Sequence, residues 1–212
     1  MSLFLGKIHY WLFNKILWFE NLEDEIIKLA KEECLDIENI EHEINLKHGA
    51  KLSNKNLEEI IDTSNIHGWL QNKIHSSEGR MASWTYFILS SDRNKLTKLE
   101  KIYIYQGIKA AKEVKSNRSI SSAKELYNSI NDYILDGMPC DSVNDIITLE
   151  DELVKWKRRI CVHKVIWEEK GLNVKVFYDL RNLWIKAFVN EVNSDFEYIE
   201  KNDGEYYISI KK

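Results

Sequence analysis

Apolar positions along most of the chain recur at spacings of three and four residues, the period of a helix that buries one face. Leu5, Ile8, Leu12, Ile16, Phe19, Ile26 and Ala30 keep this period and predict a first helix over about 3–33, with Asn21 loosening its middle. The polar stretch 35–54, which holds His42 and His48, reads as a short helix or a loop. Residues 56–61 predict one more short helix. Ser64 or Asn65 then offers a side chain that can accept from the free N–H groups of a new helix start, and the helix that follows ends near Ser90. Segments 92–115 and 119–135 continue the pattern.

The sharpest break is Asp136-Gly137-Met138-Pro139-Cys140-Asp141, where glycine suits a helix end and proline forbids simple continuation. Beyond it, Ile146, Leu149, Leu153, Trp156, Ile160, His163 and Trp167 alternate spacings of three and four. They predict a long helix facing other helices, stopping at Gly171. A last helix over about 174–192 buries Phe177, Trp184 and Phe188. The tail changes period: Phe196, Tyr198, Tyr206, Ile208 and Ile210 flank Asn202-Asp203-Gly204, a β-hairpin signal. The expected fold is all-α: a single-domain bundle of five to seven helices over 1–194, with a small C-terminal β-hairpin, 195–212, packed on it.

Composition narrows the partners. A chain of 212 residues, 44% hydrophobic and 30% charged, can bury a full core. The formal net charge of −4 speaks against nucleic acid, which asks for a basic face. The one tight basic cluster, Lys155, Lys157, Arg158 and Arg159, reads as the solvated side of the predicted helix. Three cysteines and no secretory signal fit a reducing, cytoplasmic setting. Lys7, His9, Asn14 and Lys15 interrupt the apolar N-terminal stretch, so neither a spanning helix nor a membrane partner is expected. The Asn-, Lys- and Ile-rich usage is of a bacterial kind.

The chemical hint lies in a repeat. Ile8-His9-Tyr10-Trp11-Leu12-Phe13-Asn14-Lys15-Ile16 returns as Ile66-His67-Gly68-Trp69-Leu70-Gln71-Asn72-Lys73-Ile74, identical at seven of nine positions. Glu20 and Glu78 each follow their histidine by eleven residues. Eleven residues make three helical turns plus about 20°, so each His and its Glu share a face about 16 Å apart along the axis. An antiparallel pair of these helices would bring His9 level with Glu78 and Glu20 level with His67. Imidazole with carboxylate suits iron, manganese or zinc. His163, between Ile160 and Trp167, echoes the motif and completes a candidate metal set of His9, His67, Glu78 and His163, with Glu20 as a supporting or alternative ligand. The same residues also read as paired core groups, each hydrogen-bonded to its own neighbour.

Cys140 and Cys161 are candidate redox thiols, the second near Lys157, Arg158 and Arg159, which would favour a thiolate. Phosphate-binding glycine loops, Gly-x-Ser-x-Gly, Cys-x-x-Cys and His-Glu-x-x-His are missing. The sequence therefore supports a helical protein that binds a metal ion or small molecule through interior His and Glu. Its rivals are a non-catalytic interaction or homo-oligomerisation module and a thiol sensor.

Overall fold

The computed structural model describes residues 5–201 and 204–211. In chain order the elements are α1 (Lys7–Glu32), α2 (Ile37–His48), α3 (Leu57–Ile60), α4 (Ile66–Ser91), α5 (Leu96–Asn117), α6 (Ala123–Asn131), β1 (Asn144–Leu149), β2 (Leu153–Arg158), α7 (Lys164–Glu169), α8 (Val174–Val192), β3 (Phe196–Glu200) and β4 (Glu205–Ile210). Helices α1, α3, α4, α5 and α8 lie close to where the apolar period puts them. Residues 3 and 4 of the first predicted helix, and Asn202 and Asp203 of the predicted turn, lie outside the described residues. Asn65 caps α4 by accepting the Gly68 N–H at 3.2 Å. The polar stretch forms α2, capped by Asp36 and closed at Gly49, whose φ of +79° favours glycine.

One expectation fails. Segment 144–158, predicted as part of a long helix, is the antiparallel hairpin β1–β2, and only 164–169 beyond it is helical. The fold is therefore mostly helical with a four-stranded antiparallel sheet, ordered β1-β2-β4-β3, rather than all-α with a lone hairpin. The three-and-four spacing counted straight through a turn. Ile146 and Trp156, placed on one helix stripe, are cross-strand partners, as are Leu149 and Val154. Within β2 the period is two: Val154 and Trp156 are buried, while Lys155 and Lys157 are on the other side.

The chain divides into two compact units, one comprising the chain up to Leu96 with His163–Leu172, the other Thr97–Val162 with Asn173 onward. In the first, α4 packs against α1, α2 and α7. The His9 ring lies against His67, and further along both helices Glu20 and Glu23 meet Arg80, so α1 and α4 run parallel. The antiparallel arrangement that would bring His9 level with Glu78 is therefore not the one adopted. The two copies of the repeat stand side by side at one height. Leu12 and Leu70, then Ile16 and Ile74, are all buried in equivalent places. Trp11 carries the Lys15 ammonium 3.9 Å from its ring centre, and Trp69 carries Lys73 at 5.6 Å. Packing between the helices accounts for the shared leucine and final isoleucine of the repeat, while Asn14, Asn72 and His67 are exposed.

In the second unit one face of the sheet is apolar. Val154, Trp156, Phe196, Tyr198, Tyr206 and Ile208 are buried, and α6 and α8 pack against these strands. Helices α5 and α8 approach closely at Gly107, where a Cβ would lie 2.5 Å from the Trp184 carbonyl oxygen. Beside that contact the Trp184 indole donates to Gln106 at 3.0 Å.

Candidate functional site

The five candidate ligands divide among three places in the first unit. At the start of the parallel pair, the His9 and His67 ring centres are 5.5 Å apart. His9 is buried and His67 exposed. Burial, and then the neighbouring His67, hold the His9 pKa below its usual value. His9 Nδ1 accepts the Gly6 N–H at 2.9 Å, which places the ring proton on Nε2. A histidine that binds a metal through one nitrogen ordinarily donates from the other. The Gly6 contact has the opposite polarity.

Further along, Glu20 and Glu23 flank Arg80, and all three side chains are buried. Arg80 Nε donates to both Glu23 oxygens at 3.0 Å, and its Nη2 donates to Glu20. Glu20 also accepts the Leu52 N–H on both oxygens at 3.1 Å. Arg80 Nη1 donates to Ser76 at 2.8 Å and lies 3.4 Å from the carbonyls of Gly49 and Ala50. The loop after α2 is thus tied down from below. Two carboxylates share one guanidinium, and burial pushes the Glu23 carboxyl up to about 7 despite Arg80.

The third place is Glu78. Its Oε1 meets His163 Nδ1 at 2.6 Å and accepts the Trp167 indole N–H at 3.2 Å. His163 stands at the N-terminus of α7, so this carboxylate fastens that helix to α4. Glu20 and Glu78, equivalent in the repeat, therefore do parallel work: each holds a segment that covers the helix pair. Next to Glu78, Gly79 gives the His48 ring its place, since a Cβ there would fall 2.2 Å from His48 Nδ1. The His48 Nε2 lies 3.3 Å from Ser83 Oγ.

The proposed set of His9, His67, Glu78, His163 and Glu20 therefore does not share one centre. Among the described residues no group of three or more His, Cys, Asp or Glu side chains is arranged to hold a metal ion. The partners that sequence reasoning missed are Arg80 and Glu23. Their signal was a charged residue at an inward position of each long helix.

In the second unit, Cys140 is exposed in the turn Pro139–Asp141, and Cys161 is half-buried, accepting the Tyr178 O–H at 3.0 Å. Both are free thiols. The Arg158 guanidinium lies 3.5 Å from the Tyr178 ring centre. The basic cluster sits on β2 and just after it, not on a helix. Lys155 pairs with Glu205 at 3.0 Å, and Arg159 donates to the carbonyls of Asp141 and Ser142 at 2.8 Å.

A groove of about 1140 Å³ runs along β3 and α8. All five β3 residues, Phe196 to Glu200, border it. Across from them runs one stripe of α8, from Lys175 through Asn182, Leu183 and Ala187 to Asn190, and Ile104 of α5 adds to the floor. The Tyr198 hydroxyl donates to Asn182, which in turn donates to Glu200, fixing helix against strand.

β3 is the last strand of the sheet, so one of its edges is open. The pairing shows which groups face that way. Lys201 N–H donates to Glu205 and Lys211 N–H to Asp195, so odd-numbered positions of the strand bond to β4. The N–H and C=O groups of Tyr198 and Glu200 point outward. Among the described residues they make no backbone hydrogen bond beyond the sheet. The Phe196 N–H also points outward, but Asn193 takes it at 3.2 Å.

No protein-family model matches this chain, and neither a curated protein nor a solved structure is significantly similar to it. No helix among the described residues is long and apolar enough to cross a membrane.

Proposed function

We propose that this chain is a binding module for another polypeptide, engaged along the groove between β3 and α8, and that it performs no reaction of its own. The observation that carries this reading is the open backbone edge of β3 facing a helix stripe across the groove. An extended segment laid beside β3 gains main-chain hydrogen bonds from the strand and side-chain contacts from the helix, a recurring mode of peptide recognition. The titratable groups of the first unit support the same reading, because Glu20 and Glu23 are bound to Arg80 and Glu78 to His163.

Panning a random decapeptide library on the full chain and on Ala187→Arg tests the proposal. Sequences enriched on the parent but not on the variant support it. Equal enrichment on both, or none on either, overturns it.

A second reading keeps a metal ion such as zinc, iron or manganese at His9 and His67, favoured by the 5.5 Å approach of the two rings. Such a site would have two imidazoles and no carboxylate from Glu20 or Glu78, and binding through Nε2 would move the ring proton to Nδ1 and break the Gly6 contact. Titration calorimetry of tag-free protein with zinc decides it. Stoichiometric binding that His67→Ala abolishes supports this reading, and heat absent or unchanged by the variant removes it.

A further inference from the structure

The polypeptide-binding reading can be taken to the chemistry of the occupant. We infer that the β3–α8 groove takes an extended segment in which apolar residues alternate with basic ones.

Length comes first. β3 has five residues, which span about 17 Å at the strand rise. The α8 stripe from Lys175 to Asn190 spans about 22 Å at the helix rise. The groove therefore matches about five to seven extended residues. Outward groups on β3 comprise the C=O of Phe196 and both backbone groups of Tyr198 and Glu200, enough to fix the segment's register.

Alternation follows from the pleat. Phe196 and Tyr198 turn their side chains to the buried face of the sheet, and Tyr198 reaches α8 through Asn182. Glu197 and Ile199 lie on the opposite face. A strand added beside β3 continues both faces. On the buried side its side chains meet Ile104, Leu183 and Ala187, which favours apolar residues. On the other side they stand next to Glu197 and Ile199, and facing pairs of opposite charge are favourable.

Charge selects basic over acidic residues on that second side. The groove is bordered by Glu100, Asp179, Glu197 and Glu200 against Lys175, Lys186 and Lys211. Lys175 pairs with Asp179 at 2.5 Å. Lys211 is held by Asn190 at 3.2 Å and by the Ser194 carbonyl at 2.7 Å. Among the described residues Glu100 and Glu197 form no ion pair, whereas Glu200 accepts from the Asn182 amide and lies in the field of Lys175. The lysine in the groove left without a described partner is Lys186, on the helix side. On the face turned away from the helix, the charge that β3 presents to an added strand is therefore the unpaired Glu197.

The inference rests on the proposed function, and fluorescence anisotropy separates the failure of one from the failure of the other. The probe is a fluorescein-labelled heptapeptide of alternating lysine and valine. Its glutamate–valine counterpart and an N-methylated lysine–valine version serve as controls. The full chain should bind the lysine–valine peptide with a Kd on the order of tens of micromolar, or −6 to −7 kcal/mol by the standard relation. The glutamate–valine peptide should bind at least about tenfold more weakly, a difference of about 1.4 kcal/mol. N-methylation, which removes main-chain donors but keeps the charge, should weaken binding as strongly. Glu197→Gln should erase the preference for lysine while circular dichroism stays unchanged.

Should the glutamate–valine peptide bind equally well or better, and Ala187→Arg abolish that binding, the groove stands and its basic preference is overturned. If no peptide binds, or binding survives both Ala187→Arg and N-methylation, the groove itself is overturned along with the preference.

Discussion

Replacing Glu23 by glutamine isolates one buried charge, and the structure sets both sign and size of the effect. Glu23 and Glu20 share Arg80, so the trio would carry one negative charge in excess when both acids are ionised. Burial raises the Glu23 carboxyl from 4.5 to about 7, against the pull of Arg80. In the unfolded chain that carboxyl titrates near its ordinary value. Between the two values the folded state holds the proton more tightly, so the stability associated with this group is present in full below about pH 4.5. It is lost as pH rises through about 7. The interval from 4.5 to about 7, at about 1.36 kcal/mol for each pH unit, corresponds to roughly 3 kcal/mol.

Glutamine resembles the protonated acid in shape and neutrality, and Glu20 still holds the Arg80 charge. Glu23→Gln should therefore flatten the pH profile and match or exceed the parent's stability at pH 8. Urea unfolding followed by circular dichroism at pH 5, 6, 7 and 8, on parent and variant, measures the difference and cancels every other titration. A variant several kcal/mol weaker at pH 8, with the parent's slope intact, would refute the reasoning and show that the second carboxylate is welcome beside Arg80.

Glu78→Ala should remove the carboxylate that bonds the His163 ring and the Trp167 indole, lowering stability by about 3 kcal/mol. Limited proteolysis should then cut within 159–172 before any other site. At Gly79 the usual sign should invert: glycine to alanine inside a helix normally gains about 1 kcal/mol. Here the added methyl meets His48, so Gly79→Ala should destabilise, while the same change in a His48→Ala background should stabilise, as thermal melts of the four proteins would reveal. Gly107→Ala should cost about 2–3 kcal/mol, since the Trp184 backbone it meets cannot swing aside as a side chain can. An unchanged melting temperature would contradict the close approach of α5 and α8.

Much of the helical framework was legible because it is written locally. The apolar stripe of α4 and its Asn65 cap lie within one stretch of sequence, as do the stripe of α8 and the alternation in β3 and β4. Hairpin β1–β2 was misread for a reason just as local: Ile146, Leu149, Leu153 and Trp156 fit a helical stripe and a turned-back strand pair equally well. What tipped the balance was partnership. Val154 and Trp156 gain a second neighbour strand in β4, a contact from fifty or more residues away that no window of sequence displays.

The repeat divides the same way. By itself the sequence determined that two helices carry the same His, Trp, Leu, Lys and Ile at the same heights, and that each has a carboxylate three turns on. It left open whether those helices run parallel or antiparallel, and that direction decides which side chains meet. Side by side in parallel, His9 faces His67, while Glu20 and Glu78 stand at one height and turn to different partners, Arg80 and His163. Only the tertiary structure could assign those partners, because a buried charge is satisfied by whatever the fold brings within about 3 Å, and chain distance places no limit on that.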